Sequence, residues 1–219
     1  VSADEVDVIF PCLDEAAALP AVLDALPPGF RAIVVDNGST DGSQRIAADR
    51  GATVIDEPRR GYGAAVHTGL EYAKSEIVCF LDADGSLDPG ELPTLVAEVR
   101  GGADLAVGRR VPASAGVWPW HARAGNLLLA AILRRKGLPV RDIAPARAVR
   151  RAALLELNVT DRAFGYPLEL LILAADAGWD VREFDVGYGP RAAGTKSKVS
   201  GSVRGTLRAV RDMARVLSR

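Results

Sequence analysis

Cysteine and histidine are scarce in this chain of 219 residues, with two of each. Cys12 and Cys79 lie in or just after apolar strand-like runs, which suits small buried thiols and speaks against a disulfide framework or a thiolate metal site. A reducing cytoplasm is the simplest setting. His67 and His121 lack partners at metal-ligand spacing and read as structural. Net charge is also missing: 27 basic residues against 28 acidic ones leave a formal charge of -1, and nothing in that balance points to nucleic acid. Long hydrophobic runs are absent too. The best, Leu127 to Leu133, stops at Arg134-Arg135-Lys136, short of a bilayer span. There is no internal repeat and no interdomain linker. The chain starts at Val1 rather than Met, so an upstream segment, including an anchor, is left open.

What remains is an ordinary globular composition, 48% hydrophobic and 25% charged, long enough for one domain with a substantial core. Basic residues gather at the end, where Arg191, Lys196, Lys198, Arg204, Arg208, Arg211, Arg215 and Arg219 face only Asp212. Short β-branched runs alternate with helical spacing. Strands are expected over Val6–Phe10, Ala32–Val35, Thr53–Ile55, Ile77–Leu81 and Leu105–Val107, and helices over Ala16–Leu26, Ser43–Arg50, Ala64–Ala73 and Leu92–Arg100. This pattern implies an α/β fold whose parallel sheet is covered on both faces and binds ligands at the carboxyl ends of its strands. After Gly108 the pattern gives a Pro/Trp/Gly-rich loop over Val111–Trp120, helices near Ala122–Arg135 and Pro167–Ala177, and a strand-like run Val181–Val186. In the last stretch Val203, Leu207, Val210, Ala214 and Leu217 form one helical stripe. That stripe suits packing against the body or lying on an anionic membrane surface.

The expected strand ends carry the chemistry. Asp82-Ala83-Asp84 follows the apolar run Ile77 to Leu81, and carboxylates spaced i, i+2 at such a mouth can share a hard divalent cation that bridges a nucleotide diphosphate. The same turn could be a helix cap or a solvated loop. Pro11-Cys12-Leu13-Asp14-Glu15 and Asp36-Asn37-Gly38-Ser39-Thr40-Asp41-Gly42 end the first two strands, where a carboxylate can accept from a base N–H and backbone amides suit ribose or phosphate. Asp36 and Asp41 also read as turn and cap residues. After the third strand, Arg59-Arg60-Gly61-Tyr62-Gly63 offers planar donors and glycines that let backbone approach a phosphate or sugar. It is neither a Walker loop nor a full dinucleotide fingerprint.

Taken together, Pro11-Cys12-Leu13-Asp14-Glu15, Val35-Asp36-Asn37-Gly38-Ser39, Gly61-Tyr62-Gly63-Ala64-Ala65 and Asp82-Ala83-Asp84 resemble the family 2 glycosyltransferases of GT-A fold over essentially the whole chain. Within them the chain is most similar to the branch of polyprenyl- or dolichyl-phosphate mannose and glucose synthases. The resemblance implies a UDP-, GDP- or dTDP-sugar donor, a divalent metal (Mg or Mn) and a lipid-phosphate acceptor met at the inner face of a membrane. It implies donor contacts from Pro11, Leu13, Glu15, Val35, Asp36, Asp82, Ala83 and Asp84, with Asp84 the strongest metal ligand beside Asp82. Arg60 and Gly61 join the donor set from the third loop. The branch's third ligand, typically Gln, falls at Ser86 here. Gly108-Arg109-Arg110 matches the branch's Gly-Ser/Thr-Arg, so Arg110 faces a phosphate, and Arg123 matches a second acceptor-phosphate arginine. Arg191-Ala192-Ala193-Gly194-Thr195-Lys196-Ser197-Lys198 resembles Arg-x-x-Gly-x-Ser-Lys with one residue inserted, so Arg191 and Lys198, or Lys196 instead, close over the diphosphate.

Where many family 2 enzymes carry a Glu-Asp pair supplying a general base, this chain has Tyr166-Pro167, with Glu169 two residues on. A phosphate acceptor is already an anion near neutral pH and needs no base, so the departure favours a lipid phosphate over a sugar hydroxyl. The acceptor-side motif is altered as well, to Asp142-Ile143-Ala144-Pro145-Ala146-Arg147. Trp118 and Trp120 suit lipid or sugar stacking, or core anchoring. The expected organisation is one domain with a donor half over 1–110, an acceptor half over 111–200 and a basic amphipathic helix over 201–219. A homo-oligomer is compatible with it. The rival readings are a transferase acting on a small soluble hydroxyl acceptor and a non-catalytic nucleotide-sugar-binding protein. A sugar nucleotidyltransferase would carry a Gly-rich loop where Pro11 to Glu15 stand.

Overall fold

The computed structural model describes residues 5–114, 116–193, 195 and 203–218. The first half follows the alternation of its sequence: β1 (Val6–Cys12), α1 (Leu19–Asp24), β2 (Phe30–Asp36), α2 (Ser43–Asp49), β3 (Thr53–Asp56), α3 (Tyr62–Tyr72), β4 (Ile77–Phe80), a 3-10 turn Pro89–Glu91, α4 (Leu92–Arg100) and β5 (Leu105–Pro112). Next come α5 (Trp120–Arg135), β6 (Ala146–Arg150), α6 (Arg151–Glu156), α7 (Tyr166–Asp176), β7 (Val181–Tyr188) and α8 (Val203–Leu217).

The sheet runs β3-β2-β1-β4-β6-β5-β7. All neighbours pair in parallel except β6, which lies antiparallel between β4 and β5. Strand residues alternate between two cores because successive side chains point to opposite faces. Ile9, Val35, Val78 and Phe80 pack with α3, α5 and α7 on one face, while Val8, Phe10, Val34 and Cys79 pack with α1 and α4 on the other. A fully buried leucine such as Leu70 or Leu95 contributes about 1.5–3 kcal/mol. Both thiols are free and buried, as expected.

Several expectations change. α1 is shorter than Ala16–Leu26, since Ala18 and Leu19 N–H first close a turn on the Glu15 carbonyl and Pro27-Pro28 ends the segment beyond it. β5 continues through Pro112 into the expected loop, because it pairs with β7 along its whole length. β6 and α6 were not expected at all. In α8 the stripe does not take the first of its two expected roles, packing against the body. Its buried residues are Ala209, Asp212 and Val216, while Leu207, Val210, Ala214 and Leu217 of the stripe face solvent, Leu207 at 63% and Val210 at 59% exposure. Val216 reaches the spot where a Cβ on Gly165 would lie 2.6 Å from its methyl, so the glycine that precedes α7 selects this face.

Among the described residues no helix is long and apolar enough to cross a membrane.

Candidate active site

The carboxyl ends of β1, β2 and β4 bring the donor-side residues together. Parallel register sets Pro11 beside Val35 and Cys12 beside Asp36. Asp36 Oδ2 accepts from Gly38 N, Ser39 N and Gln44 Nε2 at 3.0, 3.0 and 2.8 Å. Gly38 turns the chain at φ +89, a conformation open to glycine. Asp36 Oδ1, in contrast, is buried without a hydrogen-bond partner among the described residues. Leaving such an oxygen unpaired costs about 1–3 kcal/mol, so its natural complement is a ligand N–H. Asp14 and Asp41 brace the two loops by accepting from Thr40 N and Ala16 N at 2.8 and 2.9 Å. Glu15 is buried beside them, and its N–H donates to Ser43 Oγ at 3.0 Å.

The third loop corrects one expectation. Gly61 does make a close approach, but to the protein itself: a Cβ there would lie 2.1 Å from the Arg162 carbonyl oxygen. The Gly63 and Ala64 N–H groups at the start of α3 donate to Ala163 and Arg162, so these amides form no phosphate cradle. Arg60 bridges this loop to the second, donating from Nη1 to the Asn37 carbonyl at 2.7 Å.

Asp82 and Asp84 follow β4. Burial, and next the neighbouring Asp84, pushes the Asp82 carboxyl up to about 6 against the pull of Arg191, Arg110 and Arg147. Asp84 Oδ1 accepts from Ser86 N at 2.8 Å and its Oδ2 pairs with Arg191 Nη1 at 2.5 Å. Arg191 is held there by a backbone zipper in which Gly189 N donates to Ser86 O and Ala192 N to Asp84 O. Ser86 Oγ is buried without a partner among the described residues. Carboxylates and a hydroxyl are oxygen donors that suit a hard cation. No third His, Cys, Asp or Glu among the described residues completes the set, so a cation here would take its other ligands from a bound diphosphate or water. Lys196 and Lys198 lie outside the described residues.

Across the sheet, Arg110 is fixed by a buried ion pair that the sequence did not indicate. Its Nε and Nη2 donate to Asp142 at 2.8 and 2.7 Å, and its guanidinium stacks 4.0 Å from the Trp118 ring centroid. Three of its N–H bonds stay available. Trp118 is thereby a stacking partner, whereas Trp120 is 81% exposed. Arg109 is tied to Asp185 by two bonds of 2.6 Å. Arg123 is exposed on α5.

Two residues resolve the acceptor side further. Glu169 is buried and accepts from Thr160 N, Thr160 Oγ1 and Asp161 N at 3.1, 2.7 and 2.5 Å, which makes it a brace for the loop before α7. Arg147 is buried in β6 and donates to the carbonyls of Ala144, Ile143 and Pro167. Burial lowers its pKa, and its charge still bears on Asp82. The altered motif gave no sign of this role. His67 is kept toward neutrality by burial and then by Arg162, in line with a structural part.

Comparison with known proteins agrees with this geometry. Residues 7–157 match the family described as Glycosyl transferase family 2. An uncharacterized glycosyltransferase of Mycobacterium tuberculosis is 56% identical over 219 residues, covering 100% of both chains. A dolichyl-phosphate hexose transferase of Haloferax volcanii is 31% identical over 198 residues, covering 88% of this chain and 86% of that one. Among solved structures, glucosyl-3-phosphoglycerate synthase from Mycobacterium tuberculosis, in complex with Mn2+, UDP and glucosyl-3-phosphoglycerate, superimposes with a TM-score of 0.75 at 25% identity. That match covers 97% of this chain and 78% of the other. The mostly parallel α/β sheet flanked by helices is the GT-A arrangement expected. The chain is a glycosyltransferase that uses a nucleotide sugar, and it belongs to glycosyl transferase family 2.

Proposed function

We propose that the protein moves a hexosyl group from a nucleoside diphosphate sugar to the phosphate of a polyprenyl-phosphate-type lipid, with inversion at the anomeric carbon. The observation that carries the acceptor assignment is the state of Glu169. This carboxylate, where a base would be sought, already accepts from Thr160 and Asp161. An acceptor that is already ionised needs no such base. The dolichyl-phosphate hexose transferase relative supports the same class of acceptor.

In this reading Asp36 accepts a base N–H through Oδ1, while Pro11, Leu13, Glu15 and Val35 wall the nucleoside and Arg60 closes its edge. Asp82, Ala83 and Asp84 meet the diphosphate. Asp82 and Asp84 would hold a divalent cation, Mg or Mn, which when bound neutralises charge on the departing diphosphate; the solved relative contains Mn2+ with UDP. Arg191 exchanges its Asp84 carboxylate for the diphosphate, and Lys198 assists. Arg110 and Arg123 orient the acceptor dianion so that one phosphate oxygen attacks C1 from the face opposite the diphosphate. The C1–O bond to the acceptor forms as the C1–O bond to the diphosphate breaks.

Two exposed apolar faces suit delivery from a bilayer. On α8 Leu207, Val210 and Leu217 are exposed beside Arg204, Arg208, Arg211 and Arg215, and on α5 Leu127 and Leu128 are exposed near Arg123. Such a face can rest on anionic lipid. A second reading, a small soluble phosphorylated acceptor, is favoured by the likeness to glucosyl-3-phosphoglycerate synthase. Incubation with radiolabelled sugar nucleotide plus polyprenyl phosphate or 3-phosphoglycerate separates them. Label in the organic phase supports the lipid acceptor, and label confined to the aqueous phase rejects it.

A further inference from the structure

Beside α5 the protein gathers an excess of arginine in one groove. Arg109, Arg110, Arg123, Arg134 and Arg141 line a cavity of about 360 Å3 together with Trp118. Their carboxylate neighbours are already committed. Asp142 is held by Arg110 and Asp185 by Arg109, each through both oxygens. Glu183 Oε1 accepts the backbone N–H of Arg141 and of Asp142 at 2.6 and 3.0 Å. Arg134 donates from Nη1 to the Val140 carbonyl at 3.1 Å. The guanidinium groups of Arg123 and Arg141 have no hydrogen bond or ion pair among the described residues, although Arg141 does contribute to the field at Asp185.

The main chain around Arg141 is fixed while its side chain is exposed. Asn126, one helical turn beyond Arg123, donates to the Arg141 carbonyl at 3.3 Å and accepts from Ile143 N at 3.1 Å. With Glu183 and Arg134 gripping the same segment, Arg141 lines the groove from an anchored backbone, and Arg123 lines it from α5. A surface arginine kept only for solubility needs no such anchoring. Arg110 lines the groove and its charge also bears on Asp82.

We propose that Arg141 is a substrate-binding residue, and that with Arg123 it clamps the phosphate monoester of the acceptor. Two guanidinium forks from different walls match the several oxygens of a dianion, and pre-fixed backbone lowers the cost of ordering them. This rests on the phosphate-acceptor reading above. It differs from that reading in placing the second clamp on the loop after α5, with Arg110 held in the wall by Asp142. Arg134 and Asn126 act through Arg141 as positioning residues.

The test titrates wild type, Arg141→Gln and Arg141→Lys by calorimetry with farnesyl phosphate in detergent micelles and, separately, with 3-phosphoglycerate, and measures acceptor and donor KM alongside. One ligand should bind wild type and so identify the lipid or the soluble source. Arg141→Gln should then weaken that binding about tenfold or more and raise the acceptor KM in step, with donor KM unchanged. Arg141→Lys, which keeps the charge but loses the fork, should recover part of the loss. Unchanged affinity in Arg141→Gln, or no binding of either phosphate to wild type, overturns the assignment. Binding that Arg141→Gln abolishes, with no glycosyl transfer by wild type to either acceptor, supports the clamp and rejects the proposed function instead.

Discussion

The donor and acceptor sides of this molecule are built differently. On the donor side, the loops after β1 and β2 are braced to one another by Asp14 and Asp41, and Asp36 fixes the turn that follows it, so these polar groups have a set direction before any ligand arrives. Among the described residues, single buried oxygens such as Asp36 Oδ1 and Ser86 Oγ stand out as unpaired there. On the acceptor side the walls are held by ion pairs, such as Arg110 with Asp142, while Trp120, Leu127 and Leu128 are left exposed. A small charged ligand can be read by a few oriented atoms in a closed pocket. A long amphiphile needs an anchored charge site beside an apolar face, and the proposed lipid acceptor would find these at Arg110 and at Leu127 and Leu128.

The sharpest way to break this contrast is at Asp84. Asp84→Ala should lower transfer by roughly 10²–10³-fold with unchanged circular dichroism, since it removes the partner of Arg191 and, in the proposed role, a ligand of the leaving group's cation. Undiminished turnover in a folded variant would show that the donor side is organised elsewhere. Next in size is the exposed face of α8. The double variant Leu207→Asp, Val210→Asp should weaken binding to anionic vesicles about tenfold or more in a sedimentation assay, with thermal stability nearly unaltered because both side chains face solvent. The smallest catalytic effect belongs to Glu169. As a brace, Glu169→Gln should cost about 1–2 kcal/mol in denaturant unfolding and change kcat less than about threefold. A general base replaced in this way would lower kcat by roughly 10²–10⁴-fold.

The same two regions differ in how far the sequence revealed them. The donor side was legible because its chemistry sits at the ends of apolar strands, where period and turn residues mark both the strand and the site. Gly61 misled, since a glycine chosen for close approach does not say whether ligand or protein approaches it, and here Arg162 does. The acceptor side was harder. β6 has the sequence Ala146-Arg147-Ala148-Val149-Arg150, poor in β-branched residues and carrying a buried arginine that the carbonyls of Ile143 and Ala144 just before it and of Pro167 on a separate segment receive. No local pattern announces such a strand. The Arg110–Asp142 pair spans 32 positions and depends on β5 and the segment before β6 lying side by side. For α8 the period was right, and of the two roles open to its stripe, packing against the body falls to another face. Two stripes compete there, and the smaller one wins because Val216 fits over Gly165 and buried Asp212 is met by Arg211 and Arg215 at 3.5 and 3.8 Å.

The arginines near Asp84 carry the same lesson about pairs. Arg191 was placed by resemblance over a diphosphate, and the structure sets it on Asp84 Oδ2, where a cation must compete with it. Charge neutralisation on this side therefore has two carriers that share one carboxylate.

The central claim is that a phosphate oxygen of the acceptor attacks C1 of the donor sugar. Nuclear magnetic resonance of the purified product reads this directly, through coupling between the anomeric proton and phosphorus and through the anomeric configuration. The expected result is a sugar C1–O–P linkage with configuration inverted relative to the donor. A C1–O–C glycoside, or retained configuration, would contradict it.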